Sequence, residues 1–168
     1  MSTNNETHVE WFKKSAETGN CSGMAFYSYK LLLKDDEPSS GISHIWAQKV
    51  LASLDSFAIG FCHFNGLATP KNEEKALKYF EISAKEGNEY GAHYMGNCFY
   101  DGHGTQQSTV KAVFWYLKAA EQGILPSQCY VANLYVNGVG CERNKAVSKY
   151  WQKKAYNNNQ ACEQFFFW

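Results

Sequence analysis

One interval dominates this chain. The stretch KAVFWYLKAAEQG at 111–123 matches KALKYFEISAKEG at 75–87 in register, 36 residues apart. A shorter relative, VEWFKKSAETG, runs from Val9 to Gly19. The glycines keep the same beat, with Gly66, Gly102 and Gly138 spaced by 36. So do the small residues Gly60, Gly96 and Ala132, the aromatics Tyr79, Trp115 and Trp151, and the trio Ala76, Ala112 and Ser148. Gly87, Gly123 and Asn159 form a further register, in which Asn stands where a positive φ is wanted. Self-similarity at a fixed period of this size marks tandem structural units.

Each unit reads as two helices. YGAHYMGNCFYDG and SQCYVANLYVNG carry apolar and small residues at helical spacing, as in Gly91, Met95, Gly96 and Phe99, and show no strand alternation. Glycine stops the first helix at 66, 102 and 138. A short loop follows, and Asn72, Ser108 and Asn144 are good N-caps for the second helix. Gly87 and Gly123 end it. The pattern predicts an all-α fold, an α/α superhelix of antiparallel helix pairs.

Glycine inside a helix costs about 1 kcal/mol against alanine, so Gly60 and Gly96 need a packing reason. A missing Cβ lets the paired helix approach, with the ring of Tyr79 or Trp115 filling the contact. Ala84 and Ala120 would receive the neighbouring unit. The first third is less regular. SGMAFYSYKLLLK reads as a first helix with Ser28 in the small slot, and GISHIWAQKVLASL reads as its second helix. Pro38 and Gly41 are expected to break the helix between them. The expected organisation is a single repeat domain over 1–168. It comprises a partial unit at 7–19, a degenerate unit at 20–54, units at 55–87, 88–123 and 124–159, and a C-terminal capping segment at 160–168.

Composition narrows the function. Sixteen basic residues balance sixteen acidic ones among 168, which leaves no electrostatic footprint for nucleic acid or an anionic membrane. No apolar run reaches the roughly 18 residues of a membrane span. The opening MSTNNETHVEWF has no basic region followed by an apolar stretch, so no secretory signal is expected. Cysteines at 21, 62, 98, 129, 141 and 162 form no C-x-x-C pair. Cys62 and Cys98 share one slot of the repeat, as small buried residues do. Free thiols in a reducing cytoplasm are therefore expected.

The pattern of a small residue, Leu-Gly, Tyr and Gly, followed by Lys-Ala-x-x-Trp-Tyr-x-Lys-Ala-Ala-x-x-Gly, resembles the Sel-1-like repeat, an architecture related to the tetratricopeptide repeat. Ser127–Gly138 and Lys111–Gly123 are the best copies of its two helices. The resemblance covers 55–156 well and 7–54 loosely. Tyr156 replaces the family's Ala, and His63 stands where Tyr is usual. The resemblance implies an α-solenoid that acts as an adaptor or scaffold. Some relatives carry one disulfide per repeat. Here Ala84 and Ala120 occupy the corresponding helix ends, which weakens any link to the hydrolytic or penicillin-binding activity suggested for that group.

In helix-pair solenoids the first helices line the concave face. Residues there that turn away from the core stripe form a candidate partner-binding ladder: Phe26, Tyr29, Phe61, Tyr94, Asn97, Asp101, Tyr130, Asn133 and Asn137. Tyrosine offers large contact area with one polar tip, and asparagine offers adaptable hydrogen bonds. The competing reading of each aromatic is plain core packing. The aromatic C-terminus, Phe165–Trp168, reads as a cap on the last unit or as a self-association surface.

Catalytic signatures are thin. There is no G-x-S-x-G, H-E-x-x-H or phosphate-binding glycine loop. His103 lies in a repeat turn, His93 and Cys98 lack the i, i+4 spacing of a helical metal pair, and His63 reads as a satisfied interior histidine. No metal and no cofactor is expected. The favoured function is a non-enzymatic module binding another protein, with a dedicated inhibitor or immunity protein, or a regulator of one enzyme, as its subtype. The alternatives are a ligand-binding or hydrolytic enzyme and a structural subunit of a larger assembly.

Overall fold

A computed structural model describes residues 3–34 and 37–157. Among them are nine α-helices and no strand: α1 (Thr3–Glu17), α2 (Cys21–Leu32), α3 (Glu37–Leu51), α4 (Ser56–Asn65), α5 (Glu73–Lys85), α6 (Glu89–Asp101), α7 (Thr109–Glu121), α8 (Leu125–Asn137) and α9 (Lys145–Asn157). The helices expected from the sequence are present. By its internal contacts the chain divides into two compact units, Met1–Phe80 and Glu81–Trp168.

The turns inside the pairs are built from one template. Gly66, Gly102 and Gly138 cap α4, α6 and α8 at φ 71°, 83° and 70°, the left-handed region where a Cβ is penalised. The N–H one residue later, at Leu67, His103 and Val139, returns to the carbonyl of Cys62, Cys98 and Leu134 at 2.9, 2.9 and 3.0 Å. These bonds satisfy carbonyls that a helix end would otherwise leave open. The loop then closes by N–H bonds from Asn72 to His63 O, Ser108 to Phe99 O and Asn144 to Tyr135 O, at 2.8, 2.7 and 2.8 Å. The same three residues cap the next helix. Asn72 accepts from Lys75 N, Ser108 from Lys111 N and Asn144 from Val147 N.

In the N-terminal unit, α2 packs against α1, α3 and α4. A reciprocal hydroxyl pair joins α2 to α3. Ser28 Oγ donates to Ser43 O at 2.6 Å, and Ser43 Oγ donates to Ser28 O at 2.8 Å, both serines being buried. Helix α3 begins at Glu37, so Pro38 does not break it but sits in its first turn, where a missing N–H costs no bond. Helix α4 spans 10 residues against 13 in α6 and α8. It starts late, capped by Asp55, whose carboxylate accepts from Ala58 N at 2.9 Å.

In the C-terminal unit, α6, α7, α8 and α9 pack in sequence. Gly91 lets α6 approach Ser83 and Ala84. A Cβ on Gly91 would stand 2.7 Å from Ala84 N and Ser83 Oγ. The core around α7, α8 and α9 contains Ala112, Val113, Tyr116, Ala120, Val131, Ala132, Leu134 and Trp151.

The interior glycines do admit a ring, but not the expected one. A Cβ on Gly60 would lie 2.9 Å from Phe80 Cδ1 and Cε1, and one on Gly96 would strike the ring of Tyr116. The wedges are thus Phe80 and Tyr116 rather than Tyr79 and Trp115. Both lie four residues from the small residues Ala76 and Ala112, on the buried stripe. In the last pair the slot is closed by the methyl of Ala132. There Gln152 is exposed, and Trp151, 5% exposed, joins the core instead.

Two further expectations change. His63 is not a satisfied interior histidine. Its ring stacks on Tyr79 at 5.8 Å, but Nδ1 is buried without a hydrogen bond. Burial and the Lys75 charge hold its pKa below the usual value. Cys21, Cys62, Cys98 and Cys141 are thiols outside any disulfide, whereas Cys129 is disulfide-bonded. Cys62 is inert, because burial pushes its thiol up to about 12. Cys162, Asn159 and the Phe165–Trp168 tail lie outside the described residues.

Candidate functional site

The ladder divides by unit. In the N-terminal unit its members are aromatic and packed. Phe61 is 3% exposed and has no surface to offer. Phe26 meets it at 4.9 Å and Tyr29 at 5.6 Å, both edge-on. Phe26 also contacts Phe12 at 5.4 Å and Phe57 at 5.8 Å. These rings gain by shielding one another from water, which is the core-packing alternative.

In the C-terminal unit the ladder residues converge with others that the sequence reading passed over. From α7, the buried Tyr116 donates its hydroxyl to Asn97 Oδ1 on α6 at 2.8 Å. That bond orients the half-buried Asn97 amide. From α8, Tyr130 stacks on Tyr116 with centroids 5.0 Å apart and planes 11° from parallel. Tyr100, a turn past Asn97 on α6, reaches Tyr116 at 6.4 Å. Asp101 closes α6, exposed, with His103 Nε2 at 3.9 Å from its carboxylate.

Electrostatics ties this group together. Burial first, then the Tyr130, Asp101, Tyr100 and Cys98 groups, hold the Tyr116 hydroxyl well above the usual phenol range. Tyr130 is raised by burial, then by Asp101 and Tyr100. Both phenols therefore stay neutral donors beside a carboxylate.

Behind this face, His93 Nδ1 and Ser127 Oγ share a 2.7 Å hydrogen bond between α6 and α8. The imidazole lies 5.6 Å from the Tyr94 ring and 5.8 Å from Tyr116. Burial lowers its pKa to about 4, so it is neutral at ordinary pH. Ser127 is wholly buried. The pair therefore fastens α6 to α8 and cannot present a nucleophile to a substrate. On α8, Asn137 Nδ2 donates to Asn133 O at 3.0 Å and to the Asn133 side chain. These two amides hold each other along the same helix face.

Tyr116 was missed because it lies on the second helix α7, Tyr100 was not placed on the ladder, and His93 was weighed only as half of a metal pair. The available signal was the offset of four from Ala112, which puts Tyr116 opposite Gly96 and next to Asn97.

No helix among the described residues is long and apolar enough to cross a membrane. The Sel1 repeat profile matches residues 9–20, 56–88, 90–124 and 125–160. No curated protein matches significantly. Among solved structures, the chain is similar to c5321, a protective antigen present in uropathogenic Escherichia coli strains that displays an SLR fold. The identity is 28% and the TM-score 0.64, with 89% of this chain and 33% of that one covered. The chain thus spans about a third of that protein's length. A Sel1 repeat protein from Oxalobacter formigenes has the same fold at 22% identity and TM-score 0.64, with 95% of this chain and 68% of that one covered. The profile matches, the recurring cap-and-loop template and these structural likenesses agree: the chain belongs to the Sel1 repeat family.

Proposed function

We propose that this protein is a non-enzymatic binding module that holds a partner protein on the α6–α8 face of its C-terminal unit. The observation carrying this reading is a change of chemistry at fixed positions. Slots filled by Phe57, Phe61 and Phe80 in one repeat hold His93, Asn97 and Tyr116 in the next. Phenylalanine meets the packing need at these positions in one repeat, so the repeat itself does not require the hydroxyl and amide groups that stand there in the next. Tyr94, Asn97, Asp101, Tyr130, Asn133 and Asn137 form the contact set, with Tyr100 added, while the buried Tyr116 supports Asn97 and Tyr130 from beneath. A dedicated inhibitor, immunity protein or single-enzyme regulator is the subtype that this reading favours. The division into repeats at 20–54, 55–87, 88–123 and 124–159 is part of the same proposal.

An enzyme acting through His93 and Ser127 is disfavoured by the burial of Ser127. The Cys129 disulfide weighs against the cytoplasmic placement expected from sequence, because disulfides persist in oxidising compartments. The test begins by identifying the protein that co-purifies with the chain by mass spectrometry. Rebinding of that purified partner to a Tyr94→Ala/Tyr130→Ala double variant is then measured. Loss of binding with helical circular dichroism unchanged supports the reading. Full retention moves the site off this face.

A further inference from the structure

We propose that the Asn97–Tyr100–Asp101–Tyr130 end of this face receives a cationic side chain of the partner, an arginine guanidinium by preference. The inference rests on the partner-binding reading of the same face and names the chemistry it recognises. Three groups of evidence in the geometry support it. The half-buried Tyr100 and Tyr130 rings flank the buried Tyr116 ring, with centroids 6.4 and 5.0 Å from it. Aromatic faces carry negative potential and attract cations. The exposed Asp101 carboxylate follows Tyr100 at the end of α6, and its charge is felt by both the Tyr116 and Tyr130 hydroxyls. Among the described residues only the His103 imidazole lies within ion-pair distance of it, at 3.9 Å. Asn97 Oδ1 is already used by Tyr116, but among the described residues Asn97 Nδ2 and the Tyr100 and Tyr130 hydroxyls have no hydrogen-bond partner.

Other ligand classes fit worse. An anion would meet Asp101, and among the described residues no lysine or arginine pairs with that carboxylate to balance the charge. An apolar side chain would strip water from a carboxylate, an amide and two hydroxyls without replacing any bond. A cation answers the carboxylate and the ring faces together. Guanidinium suits both at once, because it is planar, weakly hydrated and can lie on a ring while donating in pairs to a carboxylate. Ammonium is a compact, strongly hydrated charge that does only part of this. The phenols remain neutral, so they add donors and π faces without adding charge of their own.

The test uses the whole chain with tyrosine rings isotope-labelled, titrated with N-acetyl-arginine methylamide and with its neutral isostere N-acetyl-citrulline methylamide. NMR should show the Tyr100 and Tyr130 ring resonances moving with arginine, and about fivefold weaker binding of citrulline, the scale of one exposed charge pair plus a ring contact. Added salt should narrow that gap. Asp101→Asn, a surface change that keeps the fold, should bring arginine down to the citrulline level. Equal responses to the two amides, no response to either, or an arginine preference unchanged in Asp101→Asn overturns the inference. Any of these beside a partner still lost in Tyr94→Ala/Tyr130→Ala would leave the binding face standing and remove only its arginine pocket.

Discussion

The two units place different chemistry on the same backbone. In the N-terminal unit Phe57 lies 6.1 Å from Phe61 and 6.0 Å from Phe80, a ring cluster with no polar atom. In the C-terminal unit the matching residues are His93, Asn97 and Tyr116. There His93 lies 5.8 Å from Tyr116, and the Tyr116 hydroxyl bonds Asn97 at 2.8 Å. The turns that bracket both clusters are the same to a few tenths of an ångström. The repeat therefore fixes the backbone positions and leaves open whether a ring or a polar group fills them. Polarity retained at such a slot is information about use, because every buried hydroxyl or amide must be satisfied to be tolerated.

The largest effect expected from this comparison concerns the wedge. Tyr116 is 1% exposed and fills the space that Gly96 leaves. Tyr116→Ala should destabilise by about 4 kcal/mol, the range for deleting a buried aromatic ring. Trp115 is half-buried, and its ring lies against the Lys118 ammonium at 5.0 Å, so Trp115→Ala should cost only about 1 kcal/mol. Urea unfolding of the two variants decides between them. Equal losses would mean that adjacent aromatics share the wedge and that the Gly96 contact is not the anchor.

A second difference is acid sensitivity. Phe57 cannot titrate, but His93 in the same slot can. Its pKa is lowered from 6.5 to about 4 by burial, so the folded state prefers the neutral ring while the unfolded chain takes up a proton below 6.5. The unfolded state thus binds more protons between the two values, and stability falls as pH falls through that window. At about 1.4 kcal/mol for each unit, the loss approaches ~3 kcal/mol at the bottom of the window, less whatever solvent reaches the ring edge. A His93→Phe/Ser127→Ala variant, which copies the apolar cluster and leaves no orphaned hydroxyl, should lose that slope. The readout is the difference between the two pH–stability curves, since the carboxylates titrate in both. Parallel curves would show that His93 is not held neutral by the fold.

The legible parts of this molecule were those written in local chemistry. Asn72, Ser108 and Asn144 announce helix starts because their side chains bond N–H groups three residues on, and Gly66, Gly102 and Gly138 announce stops because the left-handed turn excludes a Cβ. What needed a second helix was misread. Tyr79 and Phe80 are adjacent aromatics, as are Trp115 and Tyr116, and helical periodicity alone ranks neither first. The offset of four from Ala76 to Phe80 and on to Ala84 selects the second of each pair, but only once the partner glycine is known to face it. Asp101 and the Asn97 amide were picked out as ladder residues. Their neighbour Tyr116 was not, because it arrives from α7. Pro38 was read as a breaker, since its tolerance in a first turn depends on where the helix begins. The Cys129 disulfide carries no spacing signal at all.

The smallest expected effect is also the only one that improves the protein, and it comes from the same register. Gly104 and Gly140 have φ 66° and 70°, and the residue one repeat earlier, Ala68, is held at φ 52°. Left-handed backbone costs a residue with a Cβ roughly 1–2 kcal/mol, because the Cβ crowds the carbonyl that follows. Glycine at Ala68 would remove that penalty, while the greater freedom it gives the unfolded chain takes some of the gain back. Ala68→Gly should therefore stabilise by up to about 1 kcal/mol, read as a higher urea midpoint with an unchanged slope. A loss of stability would mean that the Ala68 methyl contributes more by packing in its half-buried loop than its backbone gives up. In that case the N-terminal unit would have replaced glycine for the same reason it filled its slots with phenylalanine, to bury apolar surface wherever the repeat allows.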